Sequence, residues 1–246
     1  MKLKIGFSPC PNDTFIFDAL VNKKIDTDNI DFEIVMTDVE ELNQLAFDAK
    51  LDITKISFHA FAYVADNYKI LNSGSALGRN NGPLIISNGN YTEDDLPNLK
   101  IAIPGKNTTA NLLLNWAFPK IKETEEYVFS EIENAVIENK VDAGLIIHET
   151  RFTYLSKGLK KILDLGEKWE KMTGLPVPLG GIIINRNLDK NIQHKIQFLL
   201  RKSIDFAFDN PNSSLDYIKK NAQEIQEDVM KKHIELYVND FTKELG

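Results

Sequence analysis

Short aliphatic and β-branched runs alternate with helical patterns from the beginning of the chain to about residue 185. Strands are predicted at residues 3–7, 31–36, 53–56, 100–103 and 143–147. The segments between them place apolar residues three and four positions apart, which is the spacing of an amphipathic helix. After Asp189 the pattern is only helical, with Ile225, Val229 and Tyr237 on apolar faces. Together these patterns predict an α/β fold with mostly parallel sheets and flanking helices.

The strand and helix pattern occurs twice, which predicts two lobes. A glycine-rich turn separates extended segments at 69–77 and 83–88, and a second series of strands and helices begins after Asn98. We expect residues 1–88 and 187–246 to form the first lobe and residues 89–186 the second, with a ligand cleft between the lobes. The terminal helices are expected to pack on the first lobe.

Polar residues at the predicted helix starts indicate N-caps, because their side chains accept hydrogen bonds from free backbone N–H groups. Asn12 or Asp13 is expected to cap the first helix. Asp38 and Ser130 each stand three residues before a glutamate, which is the spacing of a capping box.

Composition and charge exclude several classes of protein. The chain has 246 residues, of which 43% are hydrophobic and 26% charged, with a net charge of -7. Its longest runs of basic residues are pairs, so nucleic acid is not an expected partner. No apolar run has the roughly 18 residues of a membrane span. The opening lacks the apolar core of a secretion signal, and Cys10 is the single cysteine, so we expect a cytoplasmic protein without disulfides.

In open parallel sheets, ligands bind beyond the carboxyl ends of the strands. Four segments of the chain stand at such positions, namely 8–14, 55–57, 104–110 and 148–149. Three of them open a helix, where backbone N–H groups suit a carboxylate or phosphate. The sequence therefore predicts a site for a small anion. The candidate lining residues are Ser8, Asn12, Asp13, Lys55, Ser57, Thr108 and Thr109.

Each of these candidates also has a purely structural interpretation. Asp13, Ser57, Thr108 and Thr109 stand where any helix favours an N-cap. Lys55 is equally typical of an ordinary strand edge. Their convergence at the ends of several strands is what favours contact with a ligand.

His148 is the strongest candidate for proton transfer. It follows a predicted strand, and imidazole titrates near neutrality and acts as a general base without extreme tuning. The alternative is a structural histidine at a strand end. His59, His194 and His233 lie in predicted helices, show no metal-ligand spacing, and are interpreted as packing or surface residues. Cys10 is either a thiol nucleophile with His148 as its base or a small buried residue.

Motifs spanning nearly the whole chain resemble those of the 1,4-dihydroxy-6-naphthoate synthases, which belong to the futalosine route to menaquinone. They are Ser8-Pro9-Cys10-Pro11-Asn12-Asp13-Thr14-Phe15, Thr54-Lys55-Ile56-Ser57, Ala76-Leu77-Gly78-Arg79, Gly82-Pro83-Leu84, Pro104-Gly105, Thr108-Thr109-Ala110, Gly144-Leu145-Ile146-Ile147-His148-Glu149, Arg151-Phe152-Thr153-Tyr154, Asp164-Leu165-Gly166, Thr173-Gly174-Leu175-Pro176 and Tyr237-Val238-Asn239. The same lineage contains chorismate dehydratase, which lacks the Ser-Pro-Cys-Pro-Asn-Asp opening. Members of the synthase family continue past the position of Gly246 by another helix, so we expect this sequence to be either naturally short or truncated.

This resemblance implies two α/β lobes like those of type II periplasmic binding proteins. It implies a lyase that cleaves cyclic dehypoxanthinyl futalosine to 1,4-dihydroxy-6-naphthoate and dihydroxyacetone, without a cofactor or metal. The family's base falls on His148, and its substrate contacts fall on Lys55, Ile56, Ser57, Thr109 and Ala110. Alternatives are a chorismate dehydratase-like lyase, a non-catalytic cytoplasmic binder of a small carboxylate, and a Cys10 thiol hydrolase. Monomer and homodimer both remain open.

Overall fold

The computed structural model describes residues 1–222 and 226–246, and these divide into two compact units. Unit 1 comprises Met1–Leu77 and Leu179–Gly246, and unit 2 comprises Gly78–Pro178. The chain thus leaves the first unit before residue 88 and returns before residue 187. The reason is strand pairing, because the strand at 84–87 joins the sheet of unit 2 and the strand that ends at 185 joins the sheet of unit 1.

Strands are interspersed with helices up to the last strand, with the fourth, fifth and sixth strands following one another directly, and only helices come after the last strand. The strands are β1 Lys2–Phe7, β2 Asp31–Met36, β3 Ile53–Ser57, β4 Tyr68–Ile70, β5 Ala76–Gly78, β6 Leu84–Ser87, β7 Lys100–Ile103, β8 Glu123–Glu126, β9 Ala143–Ile146, β10 Lys160–Asp164 and β11 Val177–Asn185. The α-helices are α1 Pro11–Val21, α2 Val39–Phe47, α3 Phe58–Val64, α4 Thr109–Ala117, α5 Ile132–Ile137, α6 Thr150–Thr153, α7 Leu165–Thr173, α8 Lys190–Asp209, α9 Leu215–Asn221, α10 Glu227–Tyr237 and α11 Asp240–Lys243.

Each unit contains one mixed sheet. In unit 1 the strand order is β2-β1-β3-β11-β4, with β5 also paired to β11. In unit 2 it is β10-β6-β9-β7-β8. The predicted α/β class is confirmed, but parallel pairing is confined to one side of each sheet. Thus β1 runs parallel to β2 and β3, and β7 runs parallel to β8 and β9, whereas β11 pairs antiparallel with β3 and β4, and β6 pairs antiparallel with β9 and β10.

The terminal helices pack in unit 1, as the sequence predicts. The apolar face of α8, including Ile196 and Leu199, joins the core that also contains β1 and α1. Val229 and Tyr237 of α10 are buried, while Ile225 lies outside the described residues. Among the helices that the structure describes, none combines the length and the apolar composition needed to cross a bilayer.

Two of the predicted N-caps are wrong. The residue at the cap position of α1 is Cys10, so Asn12 and Asp13 fall inside the first turn, and Asp13 uses its carboxylate elsewhere. A 3-10 turn at Phe129–Glu131 precedes α5, because the Glu131 N–H donates to the Val128 carbonyl, and Ser130 therefore caps nothing. Asp38 does cap α2, accepting from the N–H groups of the next turn.

Candidate functional site

The first group of candidates meets at one edge of the unit 1 sheet. β1 and β3 are parallel neighbours, so the loop after β1 and the end of β3 emerge side by side. This adjacency brings Lys55 within ion-pair distance of Asp13, with Nζ 3.3 Å from Oδ1. Lys55 is 7% exposed and Asp13 is 2% exposed. A charged pair is thus held almost entirely away from water.

Asp13 organises the rest of this cluster. Its Oδ2 accepts from the Ser8 hydroxyl at 2.7 Å and from the Ser8 N–H at 3.2 Å. Its Oδ1 accepts from Asn12 Nδ2 at 2.8 Å. Lys55 Nζ also donates to the Gly74 carbonyl at 3.0 Å. Because Asp13 balances the charge of Lys55, the lysine acts here as an oriented donor within a neutral pair rather than as a free positive charge.

Ser57 stands at the start of α3 but does not cap it with its side chain. Instead the Ser57 N–H donates to Asn43 Oδ1 at 3.0 Å, and Asn43 Nδ2 donates to the Ser57 hydroxyl at 3.3 Å. The neighbouring Ile56 buries its side chain in the core and is paired with Gly181 of β11. Asn43 is fully buried and was not predicted from the sequence. The one feature of the sequence that could have indicated Asn43 is a polar amide on the apolar face of α2, beside Leu42 and Ala46.

His233 belongs to this cluster and is not a surface residue. It is 0% exposed, and its Nε2 lies 2.8 Å from Asn12 Oδ1. Nothing in the sequence brings residues this far apart together, because the contact depends on α10 packing against α1. The other two helical histidines do match their expected surface or packing role, with His59 beside Tyr63 and His194 exposed on α8.

The second group meets at one edge of the unit 2 sheet. β7 and β9 are parallel neighbours, so the start of α4 and the residues after β9 emerge side by side. Thr108 caps α4, accepting from the Asn111 N–H at 3.2 Å and donating to the Gly105 carbonyl at 2.8 Å. Thr109 and Ala110 form the buried first turn of that helix. Thr108 is thus an N-cap, as its structural interpretation predicts, while Thr109 is the first residue of the helix itself.

The loop before α4 is tied to the neighbouring strand by a lysine and a glutamate. Lys106 Nζ lies 2.8 Å from Glu126 Oε1, and the Lys106 N–H donates to Glu126 Oε2 at 3.1 Å. The side-chain hydrogen bond from Lys106 lowers the pKa of the Glu126 carboxyl, against a smaller opposing effect of burial. This contact orients the loop that leads into Thr108 and Thr109.

His148 follows β9 directly and has an unusual backbone conformation. Its φ is 59°, in the left-handed region that non-glycine residues adopt uncommonly. Its ring packs edge-on against Phe129, with the centroids 5.0 Å apart. Such backbone strain persists only where the surrounding structure imposes it, and it is concentrated at functional sites.

An ion pair holds the segment that follows His148. Arg151 donates to the Gly82 carbonyl and contacts Asp164 at 2.6 Å. Asp164 in turn caps α7 through the N–H groups of Gly166 and Glu167. His148 is therefore mounted between a buried strand and a short helix that is anchored to the rest of unit 2.

The structure favours the structural interpretation of Cys10. Its side chain is 2% exposed, and its backbone carbonyl accepts from the N–H groups of Asp13 and Thr14 at the start of α1. Within residues 1–222 and 226–246, no group of three or more His, Cys, Asp and Glu side chains is placed to hold a metal ion.

Comparison with known proteins decides the family. A protein family described as "Menaquinone biosynthesis" matches residues 3–246. The chain belongs to this menaquinone biosynthesis family. It is 42% identical over 244 residues to a 1,4-dihydroxy-6-naphthoate synthase of Thermus thermophilus, covering 99% of this chain and 88% of the relative. It is 41% identical over 249 residues to the synthase of Streptomyces coelicolor, covering 99% and 87%.

Solved structures agree with the fold. A protein of Archaeoglobus fulgidus superposes with a TM-score of 0.94 at 38% identity, covering 100% of this chain and 91% of the other. The alkanesulfonate-binding protein of Xanthomonas axonopodis superposes with a TM-score of 0.74 at 15% identity, covering 96% and 84%. The second likeness confirms the periplasmic-binding-protein fold that the motifs imply, and the family match confirms the resemblance to the naphthoate synthases.

Proposed function

We propose that this chain is a lyase that cleaves cyclic dehypoxanthinyl futalosine to 1,4-dihydroxy-6-naphthoate and dihydroxyacetone, without a cofactor. The main support is the position of His148, directly after β9 and beside the start of α4, in a chain whose relatives are named as 1,4-dihydroxy-6-naphthoate synthases. Both units supply polar groups at the carboxyl ends of parallel strands, which is where ligands bind in such sheets.

Binding of the substrate carboxylate is assigned to hydroxyl and backbone N–H donors. Thr109 and Ala110 offer N–H groups in the first turn of α4, where the helix dipole favours a negative charge. Lys55, Ile56 and Ser57 are the corresponding residues of unit 1. Asp13 already balances the positive charge of Lys55. Uncharged hydrogen-bond donors therefore make most of the substrate contacts in unit 1.

Proton abstraction is assigned to His148. In its neutral form the imidazole accepts a proton from the substrate, after which the sugar-derived ring opens and a retro-aldol-like step breaks the C–C bond. Formation of the aromatic naphthoate drives this series of reaction steps forward. The strained backbone at His148 and the packing of its ring against Phe129 hold the base in one orientation, as proton transfer requires.

The test compares His148→Asn with wild type, measuring naphthoate formation by chromatography with no added metal or nucleotide. Asparagine keeps some hydrogen bonding but cannot take up the proton, so we expect kcat to fall by about 10²- to 10⁴-fold while substrate still binds. The acidic fall-off of the wild-type rate should also disappear. His194→Asn, on the exposed face of α8, is the matched control and should retain full activity.

Three results would change the assignment. Near-normal turnover by His148→Asn would leave this histidine a structural residue. Tight binding by wild type without any product would favour a non-catalytic binder of a small carboxylate. Turnover of chorismate instead of the cyclic futalosine derivative would favour a chorismate dehydratase-like lyase.

A further inference from the structure

A continuous chain of buried hydrogen bonds and one ion pair runs from α10 to the edge of the unit 1 sheet. His233 Nε2 lies 2.8 Å from Asn12 Oδ1, and Asn12 Nδ2 lies 2.8 Å from Asp13 Oδ1. Asp13 pairs with Lys55, whose ammonium donates to the Gly74 carbonyl. The four side chains are all less than one-tenth exposed. In a buried network of this kind, the position of each group depends on its partners.

The direction of the bonds assigns the tautomer of His233. An ionised carboxylate only accepts hydrogen bonds, so the Asn12 side that faces Asp13 must be the NH₂ group. The amide oxygen then faces His233 and requires a donor, which places a proton on Nε2 of the imidazole. His233 therefore fixes the orientation of the Asn12 amide, and Asn12 in turn supports the Asp13 carboxylate that orients Lys55.

The carboxy-terminal region also holds the other end of this chain of bonds. The Gly74 N–H donates to the Thr242 carbonyl at 2.7 Å, and the Thr242 hydroxyl donates to the Ser75 carbonyl at 3.0 Å. The carbonyl of Gly74 is the acceptor for Lys55. Both ends of the network are thus fixed by the segment that contains α10 and α11.

We propose that His233 is a positioning residue, which holds Asn12 and through it orients the Asp13 and Lys55 pair for binding of the substrate. This inference rests on the proposed function, in which Lys55 and its neighbours contact a carboxylated substrate. In this role His233 acts on the substrate through Asn12. Its removal should therefore weaken binding of the substrate more than the chemical step.

The test compares His233→Phe, His233→Gln and Met230→Ala. Phenylalanine keeps the ring but removes the donor, and glutamine supplies an N–H group at nearly the position of Nε2. Met230 is buried on the same helix, so Met230→Ala removes apolar packing from α10 while both partners of the His233–Asn12 hydrogen bond are kept. KM and kcat are measured for turnover of cyclic dehypoxanthinyl futalosine, and long-range ¹H–¹⁵N spectra give the imidazole tautomer in wild type.

We expect His233→Phe to raise KM by at least about fivefold with kcat within about twofold, since loss of a buried hydrogen bond impairs ground-state binding. His233→Gln should restore KM to within about twofold. Met230→Ala should lower only the fraction of active protein, and so the apparent kcat, at unchanged KM. The wild-type spectrum should show a proton on Nε2.

The inference is overturned if His233→Phe has the wild-type KM, if His233→Gln behaves like His233→Phe, or if Met230→Ala raises KM as much. A proton on Nδ1 alone would overturn it independently of any activity. Absence of turnover by wild type would instead refute the proposed function. The tautomer would then decide whether His233 orients Asn12, because that measurement needs no substrate.

Discussion

The buried pair of Asp13 and Lys55 allows a quantitative test by Asp13→Asn. The substitution keeps the size of the side chain but removes its charge, so the buried ammonium of Lys55 loses the negative charge that balances it. At the observed 3.3 Å, the Coulomb attraction is about 5 kcal/mol for an effective dielectric constant of about 20. Breaking one partner of a buried pair typically costs about 3–5 kcal/mol. We therefore expect the free energy of unfolding to fall by about that amount.

Urea denaturation followed by circular dichroism measures this loss, and a double-mutant cycle assigns it to the pair. Lys55→Met removes the buried charge, so the double variant Asp13→Asn with Lys55→Met should lose about 1–3 kcal/mol less stability than the two single losses together. Asp31→Asn is the matched control. Asp31 and Lys23 lie closer, at 2.6 Å, but both side chains are more than half exposed, so water screens the interaction and little stability should be lost.

Two results would refute the argument from burial. One is strict additivity of the single losses, which would mean that Asp13 and Lys55 do not interact energetically. The other is a loss for Asp13→Asn no larger than that for Asp31→Asn. In either case the carboxylate of Asp13 would serve only Ser8 and Asn12, and Lys55 would be available as a free cation for a ligand.

Two further substitutions separate contact with substrate from local structure. Thr109→Val keeps shape and deletes one hydroxyl, so it should lower kcat/KM by about 10- to 150-fold, the equivalent of about 1.5–3 kcal/mol. Unchanged kcat/KM in Thr109→Val would exclude a role for the Thr109 hydroxyl in binding the substrate anion. Thr108→Val should instead cost about 0.5–2 kcal/mol of stability, because Thr108 is the cap of α4. Cys10→Ala should retain near-normal turnover, since the backbone carbonyl of Cys10, and not its thiol, accepts the hydrogen bonds at the start of α1. Loss of product formation by a variant that folds normally would revive the thiol hydrolase.

Local sequence patterns were sufficient to predict most of the strands and helices and to select the segments that form the candidate site. β1, β2 and β3 lie where β-branched runs predict them, because such side chains fit a pleated, buried surface. The strand-end rule also selected the segments that contain Asp13, Lys55 and His148. Asp13 and Lys55 meet in the structure because the carboxyl ends of neighbouring parallel strands share one sheet edge.

The cap prediction for α5 failed because a 3-10 turn precedes that helix, and the one for α1 failed because Asp13 has partners elsewhere. Asp13 bonds to Ser8, Asn12 and Lys55 instead of closing the first turn of α1. The division between the units also differed from the expected residues, because it depends on which sheet β6 and β11 join. Pairing between distant strands leaves no trace in a window of neighbouring residues.

The sequence by itself determined the types of the elements, the family, and the segments that carry polar groups at strand ends. These depend on the periodicity of side chains along the chain and on motifs of a few consecutive residues. Only the tertiary structure decided that Lys55 is neutralised by Asp13, that Asn43 holds Ser57, and that His233 reaches Asn12 across 221 residues. The physical reason is that a buried polar group must find a partner wherever packing brings one within hydrogen-bond distance, and that distance bears no relation to separation along the chain.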